Sequence, residues 1–187
     1  MENIRFETDC MESGIHQHEE MEILFALQGR CAVFMNGKNF ILKPEDFAVF
    51  NPFESHQLYR EACSHTLSFY ISIDFLIETG TKDVFCVSVL QPEKKVNSDL
   101  VRMRLAEIFR DSTEEPAGRI LNIQAELLEL VSILQKDFSC KKAGEMSPKT
   151  NLTDKNARRQ QFLRYIWEHY REPLTLEQAA KHFYLSD

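Results

Sequence analysis

The hydrophobic period of this sequence changes once, and that change limits the fold more than any other feature. Between Glu22 and Ile73 the apolar residues come in short or alternating runs, broken by Asn36-Gly37, Pro44-Glu45-Asp46 and Asn51-Pro52. An Asn-Gly pair suits a two-residue hairpin because both positions accept positive φ, so Cys31–Met35 and Lys38–Leu42 are predicted to pair. Further strands are predicted over Glu22–Ala32, around Gly29, and over Phe47–Phe50 and Leu67–Ile73. Short strands this closely spaced bury their apolar faces in a small sandwich or barrel.

Past Pro92 the spacing becomes helical. Segment Ser98–Arg110 places Val101, Leu105, Ile108 and Phe109 at helical intervals, and Arg119–Phe138 carries Ile120, Ile123, Leu127, Leu130 and Leu134 on alternating steps of three and four. Leu121, Leu128 and Val131 widen that seam. Two uses follow from so broad a face: packing on the chain's own barrel, and dimerisation with a second copy through the five seam residues. The fold class is therefore mainly β with C-terminal helices (α+β): a small barrel followed by an antiparallel helix pair.

Ser139–Lys155 is rich in Lys, Ser, Thr and Asn without apolar periodicity, as expected of a linker. Beyond it Ala157–Tyr170 places Phe162, Tyr165, Ile166 and His169 on one helical face, and Pro173 closes that helix. Thr175 with Gln178 forms a capping box for a short second helix bearing Leu176, Ala179, Ala180 and Phe183. The organisation read from these boundaries is a barrel over 1–92, a helical dimerisation segment over 93–138, a linker over 139–155 and a further helical domain from 156 to 187.

Charge excludes one function for the body. Lys and Arg number 13 against 23 Asp and Glu over residues 1–138, whereas the rest leans basic, with 3 against 2 over 139–154 and 6 against 4 over 155–187. An acidic body does not grip nucleic acid by itself. The basic residues Arg158, Arg159 and Arg164 either touch phosphate or form a solvated face. The 5 cysteines are widely spaced and lack a CxxC pair, consistent with reduced thiols. No signal sequence and no membrane-length apolar run is present, so the expected location is cytoplasmic.

One polar constellation stands out. His16, His18 and Glu22 share parity along extended chain, and His56, following the Asn51-Pro52 turn, can return opposite them. Three imidazoles and a carboxylate suit Zn²⁺, Ni²⁺, Mn²⁺ or Fe²⁺, although no cofactor is required by the fold. The same residues could instead contact an organic effector, or satisfy one another as a buried polar network. Leu24 and Ala26, then Ala32 and Phe34 on the next strand, are predicted to continue the inward face, as barrel core or as pocket wall.

His16-Gln17-His18, Glu22 and Gly29, followed by Pro44-Glu45-Asp46, Asn51-Pro52 and His56, resemble the two motifs of the cupins over most of residues 14–56. Asp46 stands where many cupins carry Gly. The stretch from Tyr165 to Ser186, with paired Ala179-Ala180 and Leu185-Ser186, resembles the opening of an AraC-type DNA-binding domain. Together these resemblances imply an AraC-family transcription regulator. Its double-stranded β-helix barrel binds a small-molecule effector at His16, His18, Glu22, His56, Leu24 and Phe34, and it acts as a homodimer. In metal-dependent cupins the positions matching His16, His18, Glu22 and His56 are the ligands. On this resemblance the helix-turn-helix is truncated and its recognition helix is absent from this chain, so operator DNA is a partner only of the full-length protein. No catalytic residues and no enzymatic activity are expected. The alternatives are a metal-dependent cupin enzyme, a dioxygenase or isomerase, and a metal or redox sensor with the same DNA-binding output.

Overall fold

The computed structural model describes residues 3–9, 14–35, 37–81 and 95–138, and then 165, 169, 173 and 175–183. Several sequence readings fall outside these described residues: those on Asn36, Pro92, the 139–155 linker, Phe162, Ile166, Trp167, the three tail arginines and Leu185-Ser186-Asp187, as well as Cys10, Cys86 and Cys140. The chain divides into two compact units, Met1–Ala143 and Gly144–Asp187.

In the first unit the described strands are β1 (Ile4–Thr8), β2 (Met21–Gln28), β3 (Cys31–Met35), β4 (Lys38–Leu42), β5 (Phe47–Phe50), β6 (His56–Arg60) and β7 (His65–Ile71). They form a four-stranded sheet in the order β1-β7-β2-β5 and a three-stranded sheet in the order β4-β3-β6, and every pairing is antiparallel. Met35 pairs with Lys38, leaving the two-residue Asn36-Gly37 connection that the sequence predicts, with Gly37 at φ 73°. Between the sheets lies an apolar layer. Leu24, Ala26 and Phe50 come from the first sheet, and Val33, Leu42 and Leu58 from the second.

Gly29 sits where the chain crosses from one sheet to the other. Its φ is 72°, and a Cβ there would lie 2.7 Å from the Cα of Ser64. Both backbone conformation and space therefore demand glycine. Gly29→Ala is expected to cost roughly 2–4 kcal/mol, combining left-handed strain with overpacking against backbone that cannot yield. Urea denaturation checks this, and an unchanged midpoint would refute it.

The crossing also resets the inward parity. The β2–β7 register shifts between Ala26 and Gln28, a bulge, and the turn follows at once. On β3 it is then Cys31, Val33 and Met35 that enter the core, while Ala32 and Phe34 lie half-buried on the opposite face. The expectation that Ala32 and Phe34 face inward is thus reversed.

β7 stops at Ile71 rather than Ile73. Ser72 caps a short helix α1 (Ile73–Glu78), its hydroxyl accepting from the Phe75 N–H at 3.2 Å. Helices α2 (Lys95–Glu114) and α3 (Arg119–Ile133), the latter running into a π-turn over Leu134–Phe138, follow as a pair. Arg104 of α2 binds the Glu126 carboxylate of α3 with both oxygens, at 2.8 and 3.1 Å. The pair covers the outer face of the four-stranded sheet, where Phe47 meets Phe138 edge-on at 5.7 Å and Phe6 meets Phe109 at 6.1 Å.

This packing consumes most of the seam expected to pair two copies. Ile123, Leu127, Leu130 and Leu134 are buried within their own chain, and only Ile120 is exposed. The sheet, apolar on both faces, needs a cover, and four of the five stripe residues form the face of α3 turned toward the chain's own core. Among the described residues no helix is long and apolar enough to cross a membrane.

In the second unit the predicted capping box is present at the start of α4 (Leu176–His182). The Gln178 N–H donates to the Thr175 hydroxyl at 3.2 Å, and the Thr175 N–H donates to the Gln178 amide oxygen at 2.8 Å. Tyr165 stacks on His182 at 4.1 Å and meets Phe183 edge-on, so aromatic packing binds Tyr165 to α4 and the turn that ends it.

Candidate functional site

The four residues of the polar constellation converge. One ligand-capable atom from each of His16, His18, Glu22 and His56 lies within 4.8 Å of all the others. Their shared parity is not what brings them together, because only Glu22 and His56 stand in strands. His16 and His56 instead form an isolated antiparallel bridge, each N–H donating to the other's carbonyl at 3.0 Å. His18 is held by its carbonyl, which accepts from the Phe53 N–H at 2.8 Å. The turn that delivers His56 is closed by Glu54, whose carboxylate accepts from both the backbone N–H and the side-chain amide of Asn51.

Glu22 lies at the centre of the four-stranded sheet, paired with Phe50 on one side and Tyr70 on the other, and is fully buried. Its Oε1 accepts from the Ser68 hydroxyl at 2.7 Å, and its Oε2 faces His18 Nε2 at 3.0 Å and His56 Nε2 at 3.1 Å. Burial opposes ionisation of this carboxyl, but the hydrogen bonds from His18, His56 and Ser68 prevail and hold its pKa well below the usual carboxylate range. Burial, with His56 beside it, lowers the pKa of His16.

The far side of each ring is anchored on backbone. Nδ1 of His16, His18 and His56 lies 3.1, 3.0 and 2.9 Å from the carbonyl oxygens of Gly14, Glu20 and Glu54 respectively. A carbonyl only accepts, so each Nδ1 carries a hydrogen, and in the neutral imidazole Nε2 is then a lone pair. For His18 and His56 that lone pair faces an ionised carboxylate oxygen, which also only accepts. A cation bound between these donors would satisfy both the lone pairs and the carboxylate. Anchoring of the non-ligating nitrogen is what metal-binding histidines show, and the donor set fits a divalent first-row ion.

Sequence reasoning missed the residues that orient this cluster. Phe50 stacks on the His56 ring at 3.9 Å and 8°, Tyr70 meets His18 edge-on at 5.3 Å, and Ser68 fixes the carboxylate. Of the two apolar residues expected at the site, Leu24 is the next inward residue after Glu22 and belongs to the buried layer, whereas Phe34 lies on the other face of its sheet.

A two-sheet antiparallel sandwich with an inward His/Glu cluster and helices behind one sheet defines a cupin-type binding domain. The profile of the AraC-like ligand binding domain matches residues 9–131, and the chain belongs to that family. Among solved structures it is similar to the AraC-like transcriptional activator CuxR, at 11% identity and a TM-score of 0.49, covering 90% of this chain and 58% of the activator's length. It is also similar to protein NMB1881 from Neisseria meningitidis, at 23% identity and TM-score 0.33 over 37% of this chain and 72% of that one. A cupin superfamily protein from Desulfitobacterium hafniense aligns at 13% identity and TM-score 0.36, over 38% and 70% of the two chains. No curated protein matches the sequence.

Proposed function

We propose that this chain is the effector-sensing and dimerisation region of a DNA-binding transcription regulator, and that it senses through the His16, His18, Glu22 and His56 cluster loaded with a divalent metal ion. One observation carries the site assignment: the three Nδ1 atoms are all anchored on carbonyls, which leaves each Nε2 to serve as a ligand beside the Glu22 carboxylate. The family supplies the regulatory context. Zn²⁺, Ni²⁺, Mn²⁺ and Fe²⁺ all suit these donors, and an open coordination position would admit an organic effector beside Leu24. Homodimerisation uses the exposed face of α3 around Ile120, Leu121 and Leu128 rather than the buried seam, and operator DNA is the regulator's other partner.

Titration with Co²⁺ tests the assignment. A single ion per chain, with visible bands of an imidazole-bound centre and a raised Tm, is expected for the native sequence; His56→Ala should abolish the bands. In the intact regulator, loading or stripping the ion should change operator affinity. Absence of stoichiometric binding would refute the metal. The same donor set also serves a metal-dependent cupin enzyme, and turnover of an organic substrate by the loaded domain, with operator binding unaffected, would replace the regulatory reading.

A further inference from the structure

A cavity of about 720 Å³ lies on the opposite side of the four-stranded sheet from the His/Glu cluster, between that sheet and α2. Leu24 and Ala26 of β2 face the sandwich interior, whereas the alternate residues Phe25 and Leu27 line this cavity. Phe69 joins them from β7, and Ala106 and Phe109 form the helical wall. Leu27 is 50% and Phe109 37% exposed, so the cavity opens to solvent through apolar side chains. Its volume falls within the range of organic-ligand sites, about 300–1,000 Å³.

The rim decides what charge such a ligand carries. Glu45, Asp99 and Glu114 stand there with Arg102 and Arg110. Arg102 pairs with Asp99, and its Nε donates to the Glu45 carbonyl at 2.6 Å. Arg110 pairs with Glu107 and with Asp111. Both guanidiniums are thus engaged by the chain's own acceptors, while the side chains of Glu45 and Glu114 form no ion pair among the described residues. Phe25, Phe69 and Phe109 make the lining aromatic, and aromatic rings attract cations. Carboxylates at the mouth and aromatic rings within the walls complement a ligand that is apolar and positively charged.

We propose that this cavity is a second ligand site, for a hydrophobic organic cation, wedged between the sheet and α2. Its occupant would touch both the sheet that holds Glu22 and the helix that Arg104 ties to α3, so binding there would favour one arrangement of sheet and helices over another.

Tetraphenylphosphonium and its anionic isostere tetraphenylborate provide the test, by calorimetry on the full chain. Saturable binding of the phosphonium, at least about tenfold tighter than the borate, is expected. Ala106→Trp should fill the cavity and weaken phosphonium binding at least about tenfold while leaving the circular dichroism spectrum unchanged. Glu45→Gln with Glu114→Gln, both surface changes, should weaken it by about fivefold or more without altering Tm. Failure to saturate, equal affinity for the borate, or full affinity in the Ala106→Trp or double glutamine variant would each overturn the proposal. Glu22→Gln should leave phosphonium binding intact, which separates this site from the metal cluster.

Discussion

Glu22→Gln and Glu22→Leu are expected to fail in opposite ways, and the contrast between them isolates what the buried carboxylate does. In the glutamine variant the amide oxygen keeps the Ser68 hydrogen bond, and the amide nitrogen can donate toward the Nε2 lone pairs of His18 and His56 that now face it. The metal-free fold should lose only about 1 kcal/mol. The variant has no anionic donor, so Co²⁺ affinity should fall by about a hundredfold or more, and the ion should no longer raise Tm. Leucine leaves the Nε2 of His18 and His56 and the Ser68 hydroxyl facing hydrocarbon, His56 and Ser68 fully within the interior. That should cost about 3–5 kcal/mol of stability even without metal. Urea denaturation of the two metal-free variants, with Co²⁺ titration of the glutamine form, separates the effects. If glutamine bound Co²⁺ as tightly as the native chain, Glu22 would not be a ligand. If leucine were neutral, the cluster would not depend on its internal hydrogen bonds.

What the sequence reveals and conceals about this cluster follows from how local each determinant is. The hairpin at Asn36-Gly37 and the capping box at Thr175 and Gln178 were legible because each is decided by a few adjacent residues and their backbone preferences. The inward parity of β2 was legible as far as Ala26. A bulge and the Gly29 crossing then shift it, which turns Phe34 to the other face; the isolated Gly29 inside the strand pattern is the one local sign of the break, and it does not say how many residues the register slips. Ser68 illustrates the opposite limit. It reaches Glu22 because β7 lies beside β2 with Leu24 opposite Ser68, and the register of strands separated by some forty residues is written in no single segment. His16 and His18 were found by type and spacing, although a backbone bridge and a loop contact, rather than a common strand, bring them to the site.

The helical seam shows the same limit with a functional consequence, because α3 carries two apolar stripes. Ile123, Leu127, Leu130 and Leu134 are buried against the chain's own core, whereas Leu121 and Leu128 are 72% and 51% exposed and Ile120 is 55% exposed. Leu121, Ala125, Leu128 and Ser132 repeat the steps of the buried stripe two residues earlier, and at about 100° per residue they face the opposite way. A stripe of this spacing, apolar or small at each position, is the seam a second copy of α3 can join. Leu128→Glu is accordingly expected to turn a dimer into a monomer in sedimentation velocity. In a two-fold dimer the substitution counts twice, so loss of about 1.5 kcal/mol or more per side chain weakens association by over about a hundredfold. Folding and Co²⁺ binding should survive, since Leu128 touches solvent and the cluster lies across the sheet. Leu127→Glu, one position away, should instead unfold the domain by burying an unpaired charge, at a cost of about 3 kcal/mol or more. A Leu128→Glu protein that stayed dimeric would remove α3 from the interface. A monomer that still bound Co²⁺ would show that the metal site is complete within one subunit.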